Sequence, residues 1–266
     1  MTPAEDGSSV SSVTKNRMKR QVFIMSNTNE KTLLVLGASS DICQTFIRQT
    51  ASDYTTILCH YRSGEAAVTK LREEFGEKII GYQCDFADYE ATKDFAKQIQ
   101  KDGYSPDHII LSPADRLEYR QFRKTEWEQF SSAIDVSLRS SVLVCHEFLP
   151  GMSRKKSGKI LFLLSSCVIH VPPRFLSVYT SSKYALLGLM KSLAAEYEGK
   201  GICINAVSPE MVDTKYLASV PDMIVSETAE NSLRGRNLYP EEVSSVMKFL
   251  LSEDADTISG QNIYIR

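Results

Sequence analysis

The sequence predicts an α/β fold: a doubly wound parallel sheet of about seven strands, with helices on both faces, in a single domain. Two observations support this prediction. From Lys31 onward, short apolar runs alternate with amphipathic stretches of helical length. The apolar runs are continuous and do not alternate with polar residues, which is typical of strands that helices cover on both sides. The crossovers between such strands are expected to be right-handed.

The strands and helices can be assigned in order along the chain. The short apolar runs predict strands at 32–37, 55–61, 78–86, 107–112, 159–166, 201–209 and, as a short last strand, 262–265. The amphipathic stretches between them predict helices at 41–52, 65–76, 88–103, about 124–152, around Tyr179 and 240–253. The segment 213–238 has only weak periodicity and is predicted to be the most mobile loop.

The first thirty residues differ from the rest, because they are rich in Ser and Thr and have no periodicity. We interpret 1–30 as a mobile N-terminal tail and 31–266 as the folded domain. The net charge of −2 gives no indication of a nucleic-acid or anionic-membrane partner. No apolar run approaches the roughly 18 residues of a membrane-spanning helix, so no membrane association is predicted.

The cysteines and histidines indicate the compartment and the absence of a metal centre. The six cysteines are scattered and never form C-x-x-C, which is typical of small buried residues in a reducing compartment and predicts a cytoplasmic protein. The four histidines show no metal-ligand spacing, so no metal site is predicted.

The turn after the first strand, LGASSDIC, predicts a dinucleotide site. In doubly wound sheets, ligands bind beyond the carboxyl ends of the strands, and a helix N-terminus with free N–H groups suits a pyrophosphate. Two of the three glycines usual in such a loop are absent, since Asp41 and Cys43 stand at their positions. Asp41 is equally well explained as a helix cap, and its carboxylate would repel a phosphate unless it points away. The predicted contacts in this loop are Gly37, Ser39, Ser40, Asp41 and Ile42.

The ends of the second and third strands bear on the choice of dinucleotide. Arg62 and Ser63 follow the second strand. At this position a dinucleotide with a 2′-phosphate usually meets an Arg, whereas a dinucleotide without one usually meets an Asp or Glu. NADP(H) is therefore favoured over NAD(H), although Arg62 could simply be a solvated surface charge. Asp85, just after the third strand, could accept a hydrogen bond from an adenine amino group or could cap the following helix.

Tyr179 and Lys183 are the most informative pair of residues. They stand four residues apart in VYTSSKYALLGLMKSL, about one helical turn, so both side chains project from one helix face. An ammonium group favours ionisation of a neighbouring phenol, and such a phenol can exchange a proton with a carbonyl or an alcohol. The serine pair Ser165 and Ser166 lies just upstream.

Taken together, these residues resemble the short-chain dehydrogenase/reductase superfamily, in the branch that includes 3-oxoacyl-carrier-protein reductases. The resemblance extends from about Thr32 to Ile265. It rests on FLLSSCV, on Tyr179 thirteen residues after Ser166, on Lys183, and on the segments INAVSPEMVDT and ISGQNIYI. It implies a Rossmann-like sheet and hydride transfer between a nicotinamide and a carbonyl or alcohol.

The resemblance also implies roles for individual residues. Tyr179 would be the general acid in reduction, Lys183 would lower its pKa and hold the nicotinamide ribose, and Ser166 would donate a hydrogen bond to the substrate oxygen. Ser137 would be a fourth catalytic residue, since it stands in the slot of an asparagine that usually helps to hold a relay water. Further cofactor contacts would be Ser112, Ala114, Pro209, Val212 and Thr214.

Several positions depart from the family pattern. Ser112, Pro113, Ala114 and Asp115 replace the usual N-N-A-G, and Glu210 replaces the glycine of a P-G loop. Asp115 is expected to add charge near the nicotinamide ribose. These departures leave two hypotheses: an active NADPH-dependent carbonyl reductase, which we favour, or a catalytically impaired subunit serving assembly or regulation.

The resemblance also implies a homodimer or homotetramer. The substrate is expected to be a small carbonyl or alcohol compound held under an apolar lid formed by 213–238. An acyl thioester, a polyketide-like intermediate, a hydroxylated ring and a sugar derivative are all compatible with this lid, and we favour a 3-oxoacyl thioester-like or biosynthetic intermediate.

Overall fold

The computed structural model describes residues 31–266, and the predicted tail 1–30 lies outside the described residues. One sheet of seven parallel strands runs through the domain in the order β3-β2-β1-β4-β5-β6-β7. The strands are β1 (Thr32–Leu36), β2 (Thr56–Tyr61), β3 (Ile79–Gln83), β4 (His108–Leu111), β5 (Gly158–Leu163), β6 (Ile202–Pro209) and β7 (Asn262–Ile265). The predicted fold class is confirmed.

Helices cover both faces of this sheet. They are α1 (Asp41–Thr50), α2 (Glu65–Phe75), α3 (Tyr89–Lys101), α4 (Trp127–Ile134), α5 (Ser140–Lys155), α6 (Ser177–Glu196), α7 (Asp222–Glu230) and α8 (Pro240–Leu251). Buried residues of α3, α5 and α6 form one core with the sheet, and those of α1, α2 and α8 form a second core on the opposite face.

Strand β1 shows why the apolar runs are continuous. Leu34 and Leu36 contribute to the core on one face, whereas Leu33 and Val35 contribute to the core on the other. All four side chains are fully buried. A strand with two covered faces has no solvent-facing position, so the period-2 alternation of a half-exposed strand is absent.

Two predicted segments differ from the structure. The long helix predicted at about 124–152 is divided, because a π-helical turn (Asp135–Arg139) separates α4 from α5. The predicted loop 213–238 contains a 3₁₀ helix (Lys215–Ser219) and α7. No residue of α7 is fully buried, and its apolar contact with the neighbouring residues is limited to the partly buried Ile224 and Val225, which explains the weak periodicity.

Residues 31–266 contain neither a candidate membrane-spanning helix nor a candidate metal centre. Within that range no helix is both long enough and apolar enough to cross a membrane. In the same part of the chain no group of three or more His, Cys, Asp or Glu side chains is arranged to hold a metal ion. All six cysteines are free thiols, and five of them are buried.

Buried histidines predict a loss of stability in mild acid. Burial lowers the pKa of His60 and of His108 to about 4, from an ordinary value of 6.5. Between these values the unfolded chain binds protons that the folded chain does not. The stability that depends on these two histidines being neutral is therefore complete above pH 6.5 and is lost as the pH falls towards 4. The free energy of unfolding should decrease by about 1.4 kcal/mol per pH unit for each histidine.

Urea unfolding between pH 7 and pH 4.5 measures this effect. His108→Gln should reduce the slope, because glutamine does not titrate and can still form a hydrogen bond with the Tyr54 hydroxyl, which lies 2.8 Å from His108 Nδ1. His146→Gln, at an exposed position of α5, is the control and should leave the slope unchanged. A wild-type protein equally stable at both ends of this range would contradict the prediction.

Candidate active site

A cavity of about 530 Å³, called the main cavity below, lies where the chain leaves the carboxyl ends of the strands. It brings together every residue predicted to contact a cofactor. Those residues are Gly37, Ser39, Ser40, Asp41, Ile42, Arg62, Ser63, Asp85, Ser112, Ala114, Lys183, Pro209, Val212 and Thr214. Of the predicted catalytic side chains, Ser166, Tyr179 and Lys183 line the same cavity.

The turn after β1 requires a glycine for two reasons. Gly37 has φ of +74°, and a Cβ at this position would lie 3.0 Å from the Ser112 carbonyl oxygen. The turn is also fixed by His60, whose Nδ1 accepts the Gly37 N–H at 3.1 Å and whose Nε2 lies 3.0 Å from the Cys84 carbonyl oxygen. His60 stacks on Phe86 with ring centroids 3.9 Å apart. Neutral His60 thus joins the ends of three strands.

The start of α1 fits a phosphate group. The Ser40 hydroxyl accepts the Cys43 N–H at 3.3 Å and caps the helix. The N–H groups of Asp41 and Ile42 have no acceptor within residues 31–266 and adjoin the main cavity. Free N–H groups at a helix N-terminus bind anions well. The residues present therefore fit a dinucleotide pyrophosphate.

The two residues that replace glycines in this turn are both accommodated. The Asp41 carboxylate accepts the Lys215 N–H at 2.7 Å, so it is directed towards the segment after β6. Cys43 is fully buried, as expected where helix and strand pack closely. Neither substitution fills the cavity.

At the far end of the cavity, Arg62 is exposed and its guanidinium makes no ion pair within residues 31–266. Asp85 does not cap the next helix, which corrects one of the two predicted roles. Its Oδ1 accepts the Ala87 N–H at 3.0 Å, whereas Asp88 caps α3 by accepting the Ala91 N–H.

The end of β5 and the start of α6 together form one wall of the main cavity, the Ser–Tyr–Lys wall (Ser165, Ser166, Tyr179 and Lys183). The Lys183 ammonium is buried, lies 5.6 Å from the centroid of the Tyr179 ring and donates to the Leu163 carbonyl at 2.8 Å. The Ser165 hydroxyl, to which the motif resemblance assigns no role, accepts the Cys167 N–H at 3.4 Å and lies on the same wall as Tyr179.

The titration of this pair differs from the sequence expectation. Burial raises the pKa of Tyr179 well above its ordinary value, although the neighbouring Ser165 hydroxyl offsets part of this rise. Burial lowers the pKa of Lys183 to about 8. In the ligand-free protein, desolvation thus outweighs the attraction of the ammonium for a phenolate, and Tyr179 holds its proton. A protonated phenol is the form that a general acid needs.

Ser137 lies outside the main cavity, contrary to the grouping expected from the sequence. It lines a second cavity of about 480 Å³ that is bounded by the other side of Tyr179 and Lys183. Its hydroxyl donates to the Ala133 carbonyl at 2.5 Å, and its own carbonyl accepts from Ser141 Oγ at 2.7 Å. Because both polar groups are engaged within the helix, a relay role for Ser137 stays a prediction.

At two other departures from the family pattern, the carboxylates are engaged by neighbouring protein groups. The Asp115 carboxylate accepts the Arg116 N–H and the Ser132 hydroxyl, each at 2.8 Å, so its charge is directed towards α4 and not towards a ribose. The Glu210 carboxylate accepts a hydrogen bond from the Tyr264 hydroxyl. Sequence alone could not show these directions.

The 3₁₀ helix Lys215–Ser219 forms a lid over the main cavity. The Tyr216 hydroxyl donates to the Asp115 carbonyl at 2.7 Å, and the Ser219 hydroxyl donates to the Leu117 carbonyl at 2.9 Å. Beneath it, Leu117, Leu176 and Val220 form a small apolar cluster against which Tyr179 packs. The lid therefore makes the space in front of the Tyr179 ring largely apolar.

Comparison with known proteins is consistent with this site. The family model described as Enoyl-(Acyl carrier protein) reductase matches residues 37–266. Acetoacetyl-CoA reductase of Paracoccus denitrificans is 27% identical, with 86% of this chain and 94% of that protein aligned. The 3-oxoacyl-(acyl-carrier-protein) reductase FabG of Aquifex aeolicus is also 27% identical, with 88% and 95% aligned.

A solved structure described as a short chain dehydrogenase/reductase family protein has a TM-score of 0.78 to this chain. It is 23% identical and covers 88% of this chain and 95% of its own, which shows the shared fold. Because the family model covers most of the sequence, the family predicted from the motifs is confirmed. The chain belongs to the short-chain dehydrogenase/reductase superfamily of NAD(P)-dependent oxidoreductases, which act on alcohol and carbonyl groups.

Proposed function

We propose that this protein is a cytoplasmic NADPH-dependent reductase that converts the 3-oxo group of an acyl thioester-like substrate to an alcohol. One observation carries the proposal. Tyr179 and Lys183 line the same cavity that reaches, past the free N–H groups of Asp41 and Ile42, to the exposed Arg62. A proton donor and a cradle for a phosphorylated dinucleotide therefore share one continuous space.

The chemistry proposed for the chain is proton donation and charge stabilisation. A reduced nicotinamide, when bound, supplies the hydride to the carbonyl carbon. Tyr179, which burial keeps protonated, donates its hydroxyl proton to the carbonyl oxygen as negative charge develops there. The hydroxyls of Ser165 and Ser166 line the same wall and donate hydrogen bonds to that oxygen.

Lys183 has two tasks in this mechanism. Its ammonium, held by the Leu163 carbonyl, provides positive charge behind the phenol as the proton leaves. It would also donate to the hydroxyls of the nicotinamide ribose, as the sequence resemblance implies. The apolar cluster of Leu117, Leu176 and Val220 excludes water near Tyr179, which strengthens both electrostatic effects.

The substrate class is proposed from the lining of the cavity and from the relatives. Leu117, Leu176, Met211 and Leu217 line the substrate side. An apolar lining suits an acyl chain better than a sugar derivative. The similar proteins of P. denitrificans and A. aeolicus are named as reductases of 3-oxoacyl thioesters.

Arg62 is proposed to select NADPH by binding its 2′-phosphate. Arg62→Ala should weaken NADPH binding by about 10- to 100-fold and leave NADH binding unchanged, since a charge-assisted contact to a phosphate is lost. Arg72→Ala, which removes an exposed arginine that pairs with Glu77 away from the cavity, is the control. Fluorescence titration gives both dissociation constants.

Two results would contradict this assignment. Equal losses for NADPH and NADH would show that Arg62 does not contact the 2′-phosphate. If the wild-type protein bound neither dinucleotide and oxidised no NADPH with acetoacetyl-CoA, the reductase function itself would be wrong.

Assembly into a homodimer or homotetramer is part of the same proposal. Exposed apolar side chains stand on three helices that cover the sheet: Val142 on α5, Tyr184 on α6 and Phe249 on α8. Contact with a second copy would cover such side chains.

A further inference from the structure

Asp41 occupies an unfavourable place for a carboxylate in a dinucleotide site. It is the first residue of α1, beside the free N–H groups of Asp41 and Ile42 that adjoin the main cavity. A negative charge near bound phosphate raises the dissociation constant unless a positive charge compensates it. The family pattern has a glycine at this position, so this chain needs a compensation that the pattern does not supply.

Lys215 adjoins Asp41 and also lines the main cavity. Its N–H donates to Asp41 Oδ2 at 2.7 Å, a charge-assisted hydrogen bond that fixes the start of the lid. Its ammonium is 4.0 Å from Asp41 Oδ1, and the Lys215 side chain is 91% exposed. The backbone is therefore held firmly, whereas the ammonium is held loosely and can turn to another anion.

Two other cations line the main cavity, and each has a different setting. Arg62 follows β2, at the end assigned above to the 2′-phosphate, and Lys183 is buried in the Ser–Tyr–Lys wall, where it donates to the Leu163 carbonyl. The remaining charged groups of the lining, Asp85 and Glu210, are acidic. Within residues 31–266, the ion pair of Asp41 is made with Lys215.

We propose that Asp41 and Lys215 act as a pair in cofactor binding. Asp41 is a positioning residue that holds the first residue of the lid, and Lys215 is a cofactor-binding residue whose ammonium binds the pyrophosphate and neutralises Asp41. This inference rests on the proposed dinucleotide-dependent function. It names a phosphate contact that the sequence motifs do not include, and it gives Asp41 a role other than capping a helix.

A double-mutant experiment tests the pair through binding, without turnover. The variants are Lys215→Ala, Asp41→Gly and the double variant, with Lys97→Ala at an exposed position of α3 as the control. Lys215→Ala should raise the dissociation constant of NADPH by about 10-fold. The attraction between the ammonium and the pyrophosphate is lost, and the repulsion between the Asp41 carboxylate and the pyrophosphate is no longer compensated. Asp41→Gly alone should stay within about 3-fold of wild type, since repulsion and positioning are lost together.

The decisive result is a rescue. Introducing Asp41→Gly into the Lys215→Ala variant should recover most of the lost affinity, because no uncompensated carboxylate is left beside the pyrophosphate. Adenosine 2′-monophosphate, which lacks a pyrophosphate, should bind all three variants and the control as it binds wild type. Asp41→Asn, which keeps an acceptor for the Lys215 N–H, should also rescue and serves as a second variant should glycine destabilise α1.

Four results would overturn the pair while leaving nucleotide binding intact. The first is unchanged NADPH affinity in Lys215→Ala, and the second is a further loss of affinity when Asp41→Gly is added to it. The third is an equal loss of adenosine 2′-monophosphate binding in Lys215→Ala. Each of these would show that the contact between Asp41 and Lys215 only closes the lid. A wild-type protein that binds adenosine 2′-monophosphate but no dinucleotide would also overturn it. Failure of wild type to bind any of these nucleotides would instead overturn the proposed function, and the pair with it.

Discussion

Tyr179→Phe is expected to reduce turnover of a true substrate by about 10²- to 10⁴-fold, the range that a positioned general acid contributes. The variant removes only the hydroxyl, while the ring keeps its packing against Leu117, Leu176 and Val220. NADPH binding should therefore change little. Steady-state oxidation of NADPH with acetoacetyl-CoA gives kcat, and fluorescence titration gives the dissociation constant of NADPH.

The control is Tyr184→Phe, at an exposed position on the same helix. It should retain wild-type turnover. Undiminished turnover in Tyr179→Phe would remove this hydroxyl from the mechanism. A large loss of NADPH binding in the same variant would mean that the hydroxyl acts on the cofactor and not on the substrate.

Lys183→Met should separate stability from activity. Turnover should fall by about 10²-fold or more, because the positive charge behind Tyr179 is lost. At pH 7, however, the variant should be more stable than wild type, with a free energy of unfolding about 1 to 2 kcal/mol higher. The reason is that burial holds the pKa of Lys183 at about 8, below its ordinary 10.5, so folding penalises the charged form.

The pH dependence fixes the sign of this second effect. The penalty in the wild-type protein is fully present below pH 8 and disappears as the pH rises towards 10.5, where the unfolded chain also loses the proton. The advantage of the methionine variant should therefore shrink over that window. Urea unfolding at pH 7 and pH 10 measures it. The control is Lys191→Met, at an exposed position of the same helix, which should show no such change with pH. If the difference in free energy of unfolding between Lys183→Met and wild type were the same at both pH values, the Lys183 ammonium would not be destabilising.

The sequence predicted those parts of the molecule that depend on local pattern. The continuous apolar run from Leu33 to Leu36 predicts a strand that is buried on both faces, and recognising this run requires only the local sequence. The grouping of Tyr179 with Lys183 follows from one helical turn. The convergence of Gly37, Arg62 and Ser112 follows from parallel strands whose carboxyl ends share one edge.

What the sequence missed depends on contacts between distant segments. His60 was not singled out, because its partner atoms at Gly37 and Cys84 belong to neighbouring strands and not to a motif. The directions of the Asp41 and Asp115 carboxylates depend on Lys215 and Ser132, which are distant in the chain. The state of Tyr179 was misjudged for a related reason, since local spacing shows the charge of Lys183 but not the loss of water around the phenol.

The lid has a consequence for the rate at which the protein could cycle. Its bonds reach the turn after β1 through Asp41 and the chain after β4 through Asp115 and Leu117. A molecule that leaves from under the lid would require the lid to break these hydrogen bonds first. Product release, and not hydride transfer, would then limit kcat.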